Sequence, residues 1–193
     1  MFGIFDFTQT KVRIFDHILY ICQQMKCKII LRKAAMPDVE RIWQIILQAK
    51  ERMRLRGTLQ WQDGYPAIGN IISDIEKEYG YVLCDDNHVI AYAAVVFDGE
   101  RAYNSIVGNW LSDQPYVVVH RLAVADEMTQ RGIATLFMEK VGELSRQNNV
   151  LSFRVDTNFD NQYMLKILAK LGFAYCGEIF YIHGARMAYE RIL

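Results

Sequence analysis

The chain has 193 residues and a mass of 22.5 kDa, with 22 basic and 22 acidic side chains and a formal net charge of zero. That length fits one domain with a short appendage, large enough to bury about 70% of its unfolded surface without metal or disulfide staples. With 52% apolar and 23% charged residues, wholesale disorder is excluded. The charge balance speaks against a dedicated nucleic-acid binder, and no apolar run nears the roughly 20 residues of a membrane-spanning helix.

Four cysteines, Cys22, Cys27, Cys84 and Cys176, form no C-x-x-C pair. Only His17 lies near the first two, so no metal site is expected, and scattered thiols suit a reducing interior. Met1 to Asp6 lack a basic start and no small-residue cleavage signal follows, which makes the cytoplasm the expected location.

Residues 1–24 hold four phenylalanines and no recognisable motif; they read as an upstream start or a short accessory helix, with a single domain over 25–193. Residues 26–31 give a strand signal. Pro37, Asp38 and Glu40 then start a helix with Ile42, Ile45, Ile46, Ala49 and Met53 at helical spacing, stopped by Gly57. The bases Lys50, Arg52, Arg54 and Arg56 match the negative helix end as a solvated face, with a phosphate-facing role as the alternative. After a loop over 58–66, a second helix runs through Ile68, Ile71, Ile72 and Ile75. Residues 80–84 and 88–97 read as antiparallel strands around the turn 85–87. Residues 98–115 form a polar and aromatic connection, long enough to be functional. Residues 116–124 read as a central strand, followed by a helix from Gly132, a strand over 151–156, a helix over 161–171 and two final strands. The order β-α-α-β-β-β-α-β-α-β-β implies a mixed sheet flanked by helices.

The segment from Val117 to Thr135 carries the chemistry. A buried strand runs into a polar turn, and Gly132 opens an amphipathic helix whose first amides lack partners at its electropositive end. Gly132 and Ala134 remove bulk there and Arg131 adds a cation. The pattern reads as a phosphate cradle or as a plain strand-to-helix turn.

In this context residues 28–193 resemble the GNAT superfamily of acyl-CoA-dependent N-acetyltransferases. The resemblance rests on Leu122-Ala123-Val124 followed by Gln130-Arg131-Gly132-Ile133-Ala134, on Asn161 with Met164, Ile167, Lys170, Leu171, Gly172 and Phe173, and on the element order. It implies an α/β (α+β) fold: a mostly antiparallel seven-stranded sheet with about four helices, splayed between the fourth and fifth strands. Acetyl-CoA, as co-substrate, would lie in that gap. Leu122, Ala123 and Val124 would pair with the pantetheine arm, and Thr129, Gln130, Arg131, Gly132, Ile133, Ala134 and Thr135 would hold the diphosphate. Asn158 and Asn161 would contact the arm or adenosine side. The sequence departs from the family at Thr129 (usually Arg or Gln), at Gln130 (usually Gly), at Leu168 (commonly a tyrosine that protonates the thiolate) and at Val118, near the usual glutamate base.

An amine is mostly ammonium at neutral pH, so a base must take its proton. His120, on the central strand, is the first candidate, against a half-buried histidine with a structural hydrogen bond. Asp156 is the second candidate, with Asn158 beside it; the alternative is that Asp156-Thr157-Asn158 caps the next helix. Arg154 reads as an ion-pair partner. Gln60, Trp61 and Tyr65 combine flat faces with polar tips for an amine pocket, or else Trp61 and Tyr65 cap the core. Trp110 and Tyr116 are candidates for the opposite wall. The expected reaction is acetyl transfer to a primary amine of a small molecule or peptide, with no metal, nucleic acid or membrane partner and with a homodimer left open. A non-catalytic acyl-CoA sensor and an aminoacyl-tRNA acetylating toxin are the alternative classes.

Overall fold

The computed structural model describes residues 29–181 and 184–193; the readings of the segment 1–24, of Cys22 and of Cys27 fall outside them. The chain runs β1 (Ile29–Lys33), α1 (Val39–Leu55), α2 (Ile68–Glu76), β2 (Gly80–Asp85), β3 (His88–Val96), β4 (Val107–Gly108), β5 (Tyr116–Val124), α3 (Ile133–Gln147), β6 (Ser152–Thr157), α4 (Gln162–Lys170), β7 (Ala174–Tyr181) and β8 (Gly184–Ile192). The strands form one sheet in the order β1-β2-β3-β5-β6-β8-β7-β4. It has eight strands where seven were expected. The extra one, β4, is a two-residue pairing inside the 98–115 connection, too short to leave any periodic signal.

Each helix forms because its apolar stripe has a sheet face to cover. Ile42, Ile45, Ile46 and Ala49 of α1 pack with Ile71 of α2 on Val82, Cys84 and Tyr92. On the other face Ile133, Phe137, Met138 and Val141 of α3 and Leu168 of α4 pack on Leu83, Ala91, Val119, Phe153 and Val155. Between two helical layers β3 is buried from Val89 to Val96, which explains its unbroken apolar run. Cys84 and Cys176 are free and buried. Among the described residues no helix is long and apolar enough to cross a membrane.

Two features of the sheet create the site. First, β5 and β6 run parallel and pair only through Tyr116↔Ser152, Val117↔Phe153 and Val118↔Arg154. Beyond Val118 they part, while β5 stays paired with β3 as far as Val124. Second, Tyr92 faces Ala123 and Ala94 faces His120, so Arg121 and Leu122 together oppose the single Ala93. This bulge bends β5 away from β6. Arg121 takes the left-handed conformation there, with φ 58°.

The 98–115 connection covers the remaining half of the α1 face. Its short helical turn (Arg101–Ser105) buries Tyr103 against Val96, Val118, Ile179 and Ala188. β4 crosses β7 where Gly108 meets Gly177; a Cβ on Gly108 would lie 2.1 Å from the Cys176 carbonyl oxygen. Further along, Leu111 N–H and Ser112 Oγ donate to the fully buried Glu190 carboxylate at 2.5 and 2.8 Å. Arg154 Nε lies 3.3 Å from the same group, and its guanidinium lies over the Trp110 and Tyr116 rings at 4.3 and 3.9 Å. Gly108→Ala forces two backbones apart and is expected to cost about 2–4 kcal/mol of unfolding free energy, read as a lowered midpoint in urea denaturation.

Candidate active site

The loop expected to hold the diphosphate is built from alternating backbone conformations. Thr129 is extended, Gln130 has φ 61°, and Gly132, the N-cap of α3, has φ 76°. Alternating left-handed residues turn successive amides to one side, as in an anion-binding nest. The first backbone bond into α3 is donated by Leu136 to Gly132 O at 2.9 Å, and the N-cap supplies no side-chain acceptor. The six amides of residues 130–135 donate to no acceptor among the described residues. Arg131, exposed beside them, donates to the Met128 sulfur at 3.9 Å. A Cβ on Gly132 would meet nothing within 4 Å, so the glycine is there for its φ. One expectation is corrected: the Thr129 amide is already bonded to the Asp126 carbonyl at 3.2 Å, and its hydroxyl donates to the same oxygen.

The strand before this loop offers an open edge. Ala125 N–H donates to Ile90 O of β3 at 2.9 Å, so by strand alternation the amide and carbonyl of Val124 point into the split. Three polar side chains from one face of α1 hold this segment. Arg41 Nε donates to Val89 O at 3.1 Å and the same guanidinium pairs with Glu127. Gln48 accepts from Asp126 N at 3.0 Å. Arg52 donates to Val124 O at 2.7 Å and pairs with Asp126. Arg56 lies 3.9 Å over the Tyr163 ring. Of the basic run of α1 only Arg52 braces the strand end among the described residues; Lys50 donates to Pro66 O at 3.2 Å and Arg54 pairs with Glu51 on its own helix.

On the far side of the split Asn161 caps α4, accepting from Met164 N at 3.2 Å, and donates to Gln60 Oε1 at 2.9 Å. Asn158 Oδ1 is buried without a hydrogen-bond partner, an acceptor at the open end of the split that a ligand amide could fill. The six free amides, the unpaired edge and this orphaned acceptor together fit an acyl-CoA: anionic at one end, peptide-like along its arm.

On the α1 face His120 and Asp156, the two residues expected to handle protons, come together. His120 Nε2 lies 3.3 Å from Glu100 Oε2 and Nδ1 lies 3.9 Å from Asp156 Oδ1. Asp156 does not cap a helix; it accepts from the hydroxyls of Tyr103 at 2.8 Å and Tyr181 at 3.4 Å. Burial raises both phenols, which therefore stay protonated donors. The His120 imidazole holds the Glu100 carboxyl below the usual carboxylate range. Next to His120, Arg121 donates through Nε and Nη2 to Asp74 at 2.9 and 2.6 Å and through Nη1 to the Tyr65 hydroxyl at 2.6 Å. Tyr92 donates to Asp74 at 2.6 Å.

Glu100, Tyr103, Tyr181, Asp74 and Arg121 were not singled out by sequence reasoning, although the 98–115 connection was marked as functional. Of the acceptor-loop residues, Tyr65 is 41% exposed beside the cluster and Gln60 bridges to Asn161. Trp61 is instead 8% exposed and packs in the core under α1, where a wide ring gains more from burial than from a ligand. Trp110 and Tyr116 likewise brace Arg154 and the connection; Trp110 Nε1 donates to Tyr103 O at 3.0 Å. Among the described residues no group of three or more His, Cys, Asp or Glu side chains is placed so that it could hold a metal ion.

Comparison with known proteins agrees with this architecture. The sequence profile of the acetyltransferase (GNAT) family matches residues 40–173, and the chain belongs to that family. An acetyltransferase of the GNAT family from Streptococcus agalactiae 2603 is 34% identical, with a TM-score of 0.78 over 86% of this chain and 95% of that one. A GNAT acetyltransferase from Listeria monocytogenes 4b F2365 shares the fold at 17% identity (TM-score 0.69, 86% and 95% covered). So does the PaiA N-acetyltransferase of Thermoplasma acidophilum, solved in complex with coenzyme A, at 15% identity (TM-score 0.60, 86% and 99% covered). Among curated proteins no match to this chain is found.

Two stability predictions follow from the geometry. Asp74→Ala leaves the Arg121 guanidinium nearly buried without its counter-charge and is expected to cost about 3–5 kcal/mol, measured by urea titration. Gln130→Gly relieves a left-handed non-glycine residue and is expected to add about 0.5–1 kcal/mol, seen as a raised melting temperature.

Proposed function

We propose that the protein is an N-acetyltransferase that moves the acetyl group of acetyl-CoA to a primary amine of a small molecule or peptide, by direct attack with both substrates bound. One observation carries the reading: six acceptor-free amides and an unpaired strand edge lie on one side of a splayed sheet whose other side holds His120 between two carboxylates. The PaiA enzyme of the same fold, solved with coenzyme A, supports the choice of donor.

Acetyl-CoA supplies an acyl group already activated as a thioester. The amides of 130–135 hold its diphosphate end, with Arg131 as a mobile counter-charge. Val124 offers its amide, and the lone pair of its carbonyl that Arg52 leaves open, to the arm, and amides of this bent segment polarise the acyl carbonyl. Arg52, bonded to Val124 O, fixes that peptide plane before substrate arrives, which is the economy of a preorganised site. Across the sheet, His120 accepts the proton that the ammonium must lose before its nitrogen can attack. Glu100 and Asp156 face the two ring nitrogens and stabilise the resulting imidazolium. Tyr103 and Tyr181 hold Asp156 in place. As the new C–N bond forms and the C–S bond breaks, the nitrogen releases its second proton to water and the thiolate, a weak base, takes one up from water.

Loss of His120 tests the assignment. His120→Asn is expected to lower kcat by about 10²–10⁴-fold and to leave acetyl-CoA binding by calorimetry unchanged. An unchanged kcat removes His120 from the role of base. Tight acetyl-CoA binding with no thiol release on any amine favours the sensor instead.

A further inference from the structure

Resting on that reading, we infer that the acceptor is a primary amine bearing no carboxylate on the carbon beside its nitrogen: an alkyl- or arylalkylammonium, rather than an α-amino acid. The argument is one of charge placement around a fixed base. An amine that gives its proton to His120 must bring its nitrogen within hydrogen-bond reach of that ring. The ring already has Glu100 at 3.3 Å and Asp156 at 3.9 Å. Neither carboxylate is matched by a salt bridge to lysine or arginine among the described residues; their recorded partners are His120, the Tyr103 and Tyr181 hydroxyls and the Ala102 amide.

Arg121, beside the ring, gives two nitrogens to Asp74 and the third to Tyr65. Its single charge is formally matched by Asp74, and although it is felt at Glu100 the cluster of Asp74, Glu100, Asp156 and Arg121 keeps an excess of negative charge. An ammonium therefore meets two carboxylates and the half-exposed phenol of Tyr65. A carboxylate one carbon from that ammonium meets the same two negative groups with no unmatched cation to receive it. Like charges about 6 Å apart at an effective dielectric near 20 discriminate by about a hundredfold.

Pairs of amines that differ by one carboxylate test this: tyramine and tyrosine, putrescine and ornithine, agmatine and arginine, histamine and histidine, each assayed by thiol release at saturating acetyl-CoA. In every pair that turns over, kcat/KM for the carboxylate-free member is expected to be about a hundredfold higher. The amide of the amino acid, which keeps the size and removes the charge, is expected to recover most of that factor. Glu100→Gln, which removes one of the like charges, is expected to remove most of that ratio, whatever it does to the absolute rate. An amino acid equal to or better than its amine overturns the inference, and so does an amide as poor as the free acid, since size would then be the cause. No thiol release from any compound, with acetyl-CoA binding intact, sinks the transfer reading itself and the inference with it.

Discussion

A single residue in the middle of the central strand sets the geometry on which the site depends. Arg121 occupies the left-handed region, a conformation that costs a non-glycine residue about 1–2 kcal/mol. It is held there because its guanidinium makes a two-nitrogen ion pair with Asp74, whose side chain is 8% exposed. Asp74 in turn is fixed by Tyr92 from β3. The strain in β5 is thus offset by a charge pair anchored on α2 and on the neighbouring strand. Its consequence is the loss of pairing with β6 after Val118. A parallel pair deep in a two-layer fold would ordinarily continue to the strand ends, satisfying every amide. Here the unsatisfied edge is the useful product of the bulge, since it leaves a slot whose main chain can pair with a peptide-like arm.

The same bulge arranges the chemistry on the other face. Two residues of β5 oppose one of β3, so His120 and Arg121 both reach groups on the α1 side: Glu100 and Asp156 for the first, Asp74 and Tyr65 for the second. In a regular strand consecutive side chains point to opposite faces. The division of labour then follows from burial and partners. Arg121 is neutralised by Asp74 and becomes structural, while His120 keeps both nitrogens toward carboxylates. Glu100 arrives from a segment with little regular structure, and its position depends on how firmly that segment is seated. Glu190 does this work from below, receiving Leu111, Ser112 and Ser152 at 2.5 to 2.8 Å. A carboxylate buried that completely depends on its donors, and here three hydrogen bonds reach it with Arg154 Nε 3.3 Å away.

Much of this fold could be read in the sequence because helical and strand periodicities are local. The order of elements, the strand-to-helix turn at 129–134 and the capping Asn161 all rest on patterns a few residues long. The bulge could not be read. Arg121 carries no conformational signature, and its left-handed φ is imposed by Asp74, 47 positions away. Glu100, Tyr103 and Tyr181 were missed for the same reason: each is ordinary where it stands and gains its meaning from Asp156 or His120, reached through the sheet order β5-β6-β8-β7. Trp61 shows the opposite error. An aromatic in a polar loop invites a binding role, yet a positive φ of 67° turns it back beneath α1.

The absence of a tyrosine at position 168 gains a physical meaning from the packing. Leu168 is fully buried among the residues that seat α3 and α4 on the sheet, so an apolar side chain there strengthens the floor of the slot. Tyr163, the nearest phenol on the same helix, stands 57% exposed under the Arg56 guanidinium and is committed to bridging α4 and α1. With Gln60 bonded to Asn161, this bridge ties the loop over 58–66 to the far side of the split. A helix freed from supplying an acid can be used to close the site. The arrangement is chemically consistent because the two protons in the reaction differ in difficulty. Removing one from an ammonium with a pKa near 10 needs a positioned base, whereas a leaving thiolate with a conjugate pKa near 8.5 can be protonated by solvent. The polar groups around His120 are concentrated on the α1 face of the sheet, where the proposed reaction needs its base.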